Sequence, residues 1–126
     1  MKRSIFLALS GFLGMVFGLG QMFTTELMLS SFGMEPGPGS LLIVRSFGAV
    51  VFCVGLMNWI ARHAEDSVAL RAILYGNLAI HVLGLFIDLT GMTTGVLGGS
   101  SGGSVVAHGL LGFGFAYFLY AKPKEI

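Results

Sequence analysis

Ionisable and hydrogen-bonding side chains are sparse in this chain, and six of them have types that could bind or orient a ligand: Glu26, Arg45, Asn77, His81, Asp88 and His108. Asn77, His81, Gly84 and Asp88 follow one another at steps of four, three and four, which places them on one face of an α-helix. Ser104, His108, Gly112 and Ala116 recur every four residues and make a second stripe that is small and polar. A guanidinium such as Arg45 can hold an anionic head or a quinone oxygen, and imidazoles can donate or accept hydrogen bonds. Two histidines on neighbouring helices are also the raw material for bis-imidazole haem ligation. His81, His108, Asp88 and Glu26 include the donor types of a zinc site. No ligand spacing stands out, so haem is disfavoured, no metal is assigned and no residue is assigned a catalytic role.

The elements that must carry these groups are membrane helices. The chain has 126 residues, of which 55% are hydrophobic and only 10% charged, against about 25% charged in ordinary soluble domains. Mean hydropathy is +0.88. A span needs about 20 mostly apolar residues, and four segments qualify: about 4–23, 41–61, 68–88 and 105–121. The strict alternation of a membrane β-barrel is absent. The expected fold is all-α, one integral membrane domain over 1–126 forming a four-helix transmembrane bundle. A net charge of +1 offers no basic face for phosphates, so nucleic acid is not an expected partner.

Positive charge sets the expected orientation. Lys2 and Arg3 precede the first span, Arg62 and Arg71 flank the turn between the second and third, and Lys122 and Lys124 follow the fourth. The positive-inside rule then puts both termini in the cytoplasm of a cell with this protein in its inner (plasma) membrane. Lys2 and Arg3 also resemble the start of a signal peptide. The apolar run from Ile5 to Phe23 exceeds the usual 7–15-residue signal core, so it is read as a retained span; cleavage would leave three. The turn Arg62–Ser67 is short and charged, making the second and third spans an antiparallel hairpin. The first outer loop, 24–40, should hold a short interfacial helix over Glu26–Phe32, stopped by Gly33, Pro36 and Pro38. The second, 89–104, ends in a Gly/Ser run that reads as a flexible linker; a phosphate cradle there would need a Lys that is missing.

Depth along the helices groups the polar residues toward the outer side. Arg45 and His108 each lie about four residues in, Asp88 closes the third span, Glu26 follows the first, and His81 sits about 10 Å deeper than Asp88. The economical arrangement packs spans two, three and four around a polar pocket open to that side. A purely structural arrangement is the competing reading: Arg45 snorkelling or paired with Glu26 or Asp88, and His81 bonded to a neighbouring carbonyl. Cys53, the single cysteine, sits mid-span and is expected to be inert. Trp59, Tyr117 and Tyr120 fit interfacial anchors. Gly11, Gly14 and Gly18 form a small-residue face suited to tight helix contact, either inside the bundle or with another chain.

The Arg45-Ser46-Phe47-Gly48 segment just inside the second span, together with the topology and chain length, resembles the small four-helix bacterial membrane proteins of the DoxX-like type. That resemblance implies a four-helix bundle, and for a few relatives association with quinone-linked oxidoreductases or other membrane complexes. Thiol-oxidising four-helix proteins depend on paired cysteines and are excluded by a lone Cys53. The expected function is a non-enzymatic accessory subunit or a lipid- or quinone-binding bundle. The alternative is a small membrane oxidoreductase or its quinone-docking subunit. A transporter or channel component is disfavoured, because no polar path crosses the cytoplasmic half. Expected partners are the lipid bilayer and either a membrane-protein partner or a second copy.

Overall fold

The computed structural model describes residues 1–98 and 100–121. Among them every regular element is helical: α1 Arg3–Phe23, α2 Thr25–Ser31, α3 Pro38–Ala61, α4 Val68–Thr93 and α5 Ser101–Tyr120. Four are long and apolar enough to cross a membrane. With 21, 24, 26 and 20 residues they span about 30–39 Å at 1.5 Å per residue, which meets the hydrocarbon thickness of about 30 Å. The starts of α1 and α4 and the ends of α3 and α5 share one end of the bundle, marked by Arg3, Arg62 and Arg71; this is the basic end. Lys122 and Lys124 lie outside the described residues.

The helices associate as two pairs, and glycine decides how the first forms. Gly11 and Gly18 of α1 lie directly on the backbone of α3. A β-carbon on Gly11 would sit 2.8 Å from the Gly55 carbonyl oxygen, and one on Gly18 2.6 Å from that of Gly48. The reverse holds for Gly55, whose β-carbon would come within 2.6 Å of the Met15 nitrogen. Without a hydrophobic driving force between helices in lipid, close backbone approach of this kind is what holds them. The small-residue face of α1 is therefore used within the chain.

The second pair is α4 and α5, and its contact is described with the site below. The expected grouping of spans two, three and four around a common pocket is corrected by these pairings: α3 packs on α1, which carries the complementary glycines, and reaches α4 at few points. Two links join the pairs at the basic end. Phe6, Leu7, Ala61, Leu70, Leu74 and Phe115 form the buried core, with the Phe6 and Phe115 rings edge to face at 4.8 Å and Phe6 seated over Gly114. Asn58 of α3 and Asn77 of α4, both almost fully buried, exchange reciprocal amide hydrogen bonds of 2.8 and 2.9 Å. Beside them α3 and α4 leave an open apolar groove of about 650 Å³ toward the lipid, walled by Cys53, Leu56, Met57, Ile60 and Ile73. Cys53 is exposed there.

At the opposite end, α2 closes the bundle. Gly33 ends it in the left-handed conformation (φ 76°), as its glycine predicts. The Gly98 and Ser100 amides then donate to the carbonyls of Phe32 and Ser31 at 3.0 and 2.9 Å, tying the two outer loops together. The Gly/Ser run is not a linker throughout: Ser101–Ser104 are the first turn of α5. Propensity disfavours glycine there, but Ser101 is buried and its hydroxyl donates to the Gly98 carbonyl, while Ser104 is held by Asp88. Anchoring at both ends of the turn overrides local preference. At the basic end, Arg3 donates to the Ala64 carbonyl at 2.9 Å. Arg62 lies 4.1 Å over the Trp59 ring, a cation–π contact that orients the interfacial tryptophan. Asp66 pairs with Arg71 at 3.3 Å, and the hydrogen bond and charge of that guanidinium hold its carboxyl below the usual value.

Candidate functional site

Helical spacing puts His81, Gly84 and Asp88 on one face of α4 and Ser104, His108 and Gly112 on one face of α5, and the antiparallel register brings the two faces together. Each histidine sits opposite a glycine. The His108 ring lies over Gly84, and the β-carbon of His81 lies against Gly112. The His108 ring fits between close helices because it faces a residue with no side chain, while Gly112 leaves ordinary room beside His81.

A chain of polar contacts runs along this seam. The Ser104 hydroxyl donates to Asp88 Oδ2 at 2.5 Å. His108 Nε2 faces the same oxygen at 3.9 Å, too far for a hydrogen bond, so the carboxylate acts on this ring through its field. The other ring nitrogen of His108, Nδ1, meets Nδ1 of His81 at 2.9 Å. His81 in turn stacks at 5.6 Å and 17° on Phe115, which is fully buried and locks the imidazole plane. All three titratable members are half-buried.

Chemistry gives this chain a direction. A Ser–Asp contact of 2.5 Å lies in the range of charge-assisted hydroxyl-to-carboxylate bonds, which makes Asp88 the acceptor. The His108 tautomer that suits the facing carboxylate carries its proton on Nε2, leaving Nδ1 a bare lone pair. Two Nδ1 atoms at 2.9 Å share one hydrogen, which either ring can supply; with His108 in that tautomer it comes from His81. A neutral His81 with its proton on Nδ1 has a bare Nε2, and that atom takes no hydrogen bond from the described residues. Nor is it sealed in: among the described residues Gln21 Oε1 is the fully buried side-chain polar atom without a partner.

The six residues expected to act together fall into separate places. His81, Asp88 and His108 meet. Asn77 lies on the same face of α4 but bonds Asn58 and the Ile73 carbonyl instead, as a strut between the pairs. Arg45 donates from Nε to Thr25 Oγ1 at 3.3 Å and forms no contact with Asp88 or Glu26 among the described bonds. Glu26 is exposed in the first turn of α2. Arg45 and Glu26 belong to the α1–α2–α3 junction, because α3 packs on α1. Ser104 and Asn58 are the members that a list of ionisable residues passes over. The stripe of four-residue steps already contained Ser104, and an amide such as Asn58 within an apolar span implies a partner.

The two Nδ1 atoms lie in mutual hydrogen-bond contact at 2.9 Å, too close for a metal ion to sit between them at about 2 Å from each. Among the described residues no three His, Cys, Asp or Glu side chains come together as a metal set.

Four apolar helices and a polar seam at bilayer depth define a small multi-span α-helical membrane protein. No family model, curated protein or solved structure matches the chain.

Proposed function

We propose that this protein binds a small, membrane-dissolved, hydrogen-bonding molecule of the quinone class at the α4–α5 seam, with His81 as the contact residue. The observation that carries this reading is the open Nε2 of His81 at the end of the Ser104–Asp88–His108 chain. His81 lies 13 residues from the start of α4 and 12 from its end, about 20 and 18 Å along the axis. Lipid headgroups stay near the surfaces, so a partner at this depth has to be soluble in the hydrocarbon. An ionisable group at such depth is costly and by default functional. Binding rather than chemistry is proposed, which suits an accessory or quinone-docking subunit of a membrane oxidoreductase. The DoxX-like resemblance around Arg45-Ser46-Phe47-Gly48 agrees with that role. We also propose cytoplasmic termini in an inner (plasma) membrane, from the basic end carrying Lys2, Arg3, Arg62 and Arg71.

Native mass spectrometry of protein released gently from its own membrane tests the reading. The expected result is a retained quinone-class molecule at near-stoichiometric level, lost from His81→Phe while the variant still elutes as a folded species. Undiminished retention by folded His81→Phe overturns it. Reporter fusions at each terminus test the orientation, and a reporter active outside the cytoplasm refutes it.

A further inference from the structure

Resting on the reading of His81 as the ligand contact, we infer that the ligand is held through a hydroxyl, so the site selects the hydrogen-bond-donating form of a lipid-soluble molecule: a quinol over the corresponding quinone. The direction of the polar chain carries this. Ser104 donates to Asp88, the Asp88 carboxylate faces Nε2 of His108, and the proton of the 2.9 Å contact between the two rings then belongs to His81. What His81 offers outward is a lone pair. A quinol hydroxyl donates to it, while a quinone carries only carbonyl acceptors and meets it lone pair against lone pair. Selectivity of this kind is large when a buried group is left unpaired by the wrong partner. Gly84 gives the His108 ring its place against α4, and the His81 ring stacks on Phe115.

Depth separates this ligand from other sources of hydroxyls. The glycerol and headgroup hydroxyls of phospholipids lie near the ends of α4, about 18–20 Å from His81 along the helix. A molecule that dissolves in the hydrocarbon and carries its hydroxyl on a ring is the class that reaches it.

The test compares ubiquinol-1 with ubiquinone-1, which differ at the oxygens in question, by titration of the full chain in lipid nanodiscs under anaerobic conditions. The expected result is quinol binding at least about ten-fold tighter than quinone. Asp88→Asn, which removes the charge that orients His108, should bring the ratio toward one. If neither probe binds, the ligand reading of His81 fails and this inference falls with it. If both bind and the quinone binds equally or more tightly, the ligand reading survives and the inferred direction is wrong. An independent readout needs no ligand: nitrogen-15 spectra of histidine-labelled protein in bilayers, assigned through His81→Phe, should show His81 Nε2 without a proton and Nδ1 with one. The opposite tautomer overturns the inference even where Asp88→Asn fails to fold.

Discussion

The imidazole of His108 occupies the space that any residue other than glycine at position 84 would fill: a β-carbon on Gly84 would lie 2.5 Å from His108 Cε1. The obstructing atom is on a side chain that can rotate, so Gly84→Ala should swing the ring aside rather than part the helices. A stability loss at the lower end of the about 1–3 kcal/mol typical of overpacking is expected. The contact between the two Nδ1 atoms should be lost with it. Thermal unfolding in detergent and histidine nitrogen-15 spectra read the two effects separately, and an intact contact in Gly84→Ala contradicts the interlock. Gly112→Ala places its β-carbon 3.4 Å from that of His81, an ordinary contact, and should leave the pair in place.

Between α1 and α3 the obstruction is backbone, which has nowhere to go. Gly18→Ala and Gly55→Ala should each cost toward the upper end of the same range of about 1–3 kcal/mol. Gly76→Ala and Gly109→Ala, which face open space, should be neutral or stabilising by up to about 1 kcal/mol through helix propensity. Unfolding of the four variants in a graded denaturing detergent distinguishes them. Equal stability of Gly18→Ala and Gly76→Ala would mean the helices are not in backbone contact.

The Asn58–Asn77 pair should behave as one unit. Replacing either by Leu strands a buried amide and should destabilise by about 1–2 kcal/mol. The double replacement should cost less than the sum, with a coupling between the average of about 0.6 and the maximum of about 1.7 kcal/mol known for interhelical hydrogen bonds in a membrane. A double-mutant cycle with zero coupling would contradict the reciprocal geometry. Because Asn77 belongs to this strut, Asn77→Leu in a folded protein should leave quinol affinity within about two-fold.

Arg45 separates the observed site from the one its sequence position suggests. It bonds Thr25 across the α2–α3 junction and takes no part in the α4–α5 chain. Arg45→Gln should therefore leave quinol affinity in nanodiscs unchanged within about two-fold. Ser104→Ala, which removes the hydroxyl on Asp88, should weaken it several-fold. Loss of binding in Arg45→Gln and none in Ser104→Ala would reverse this assignment.

How much of this is legible in the chain depends on the range of the interaction concerned. The four spans and the short helix before Gly33 follow from apolar runs, breakers and charge within a few residues, and they form, with α4 running to Thr93 rather than 88 and α5 starting at Ser101 rather than 105. The turn at Arg62–Ser67 also forms, but the helices it joins do not pack along their length as a hairpin, because α3 lies on α1 and α4 on α5. The faces were legible too: steps of three and four put His81 with Gly84 and Asp88, and His108 with Ser104 and Gly112, because helical periodicity is local. Which face meets which is not a local property. It depends on the shape of surfaces distant in sequence: the glycines of α1 match those of α3, and that match takes Arg45 away from the histidines. The histidine–glycine interlock sets the α4–α5 register and so the 2.9 Å contact between rings 27 residues apart. Even the start of α5 inside a Gly/Ser run comes from anchoring by Gly98 and Asp88. Residue types and periodicity thus supply the groups and the faces that bear them, while the complementarity of packed surfaces selects the neighbours and, through them, the direction in which the polar chain points.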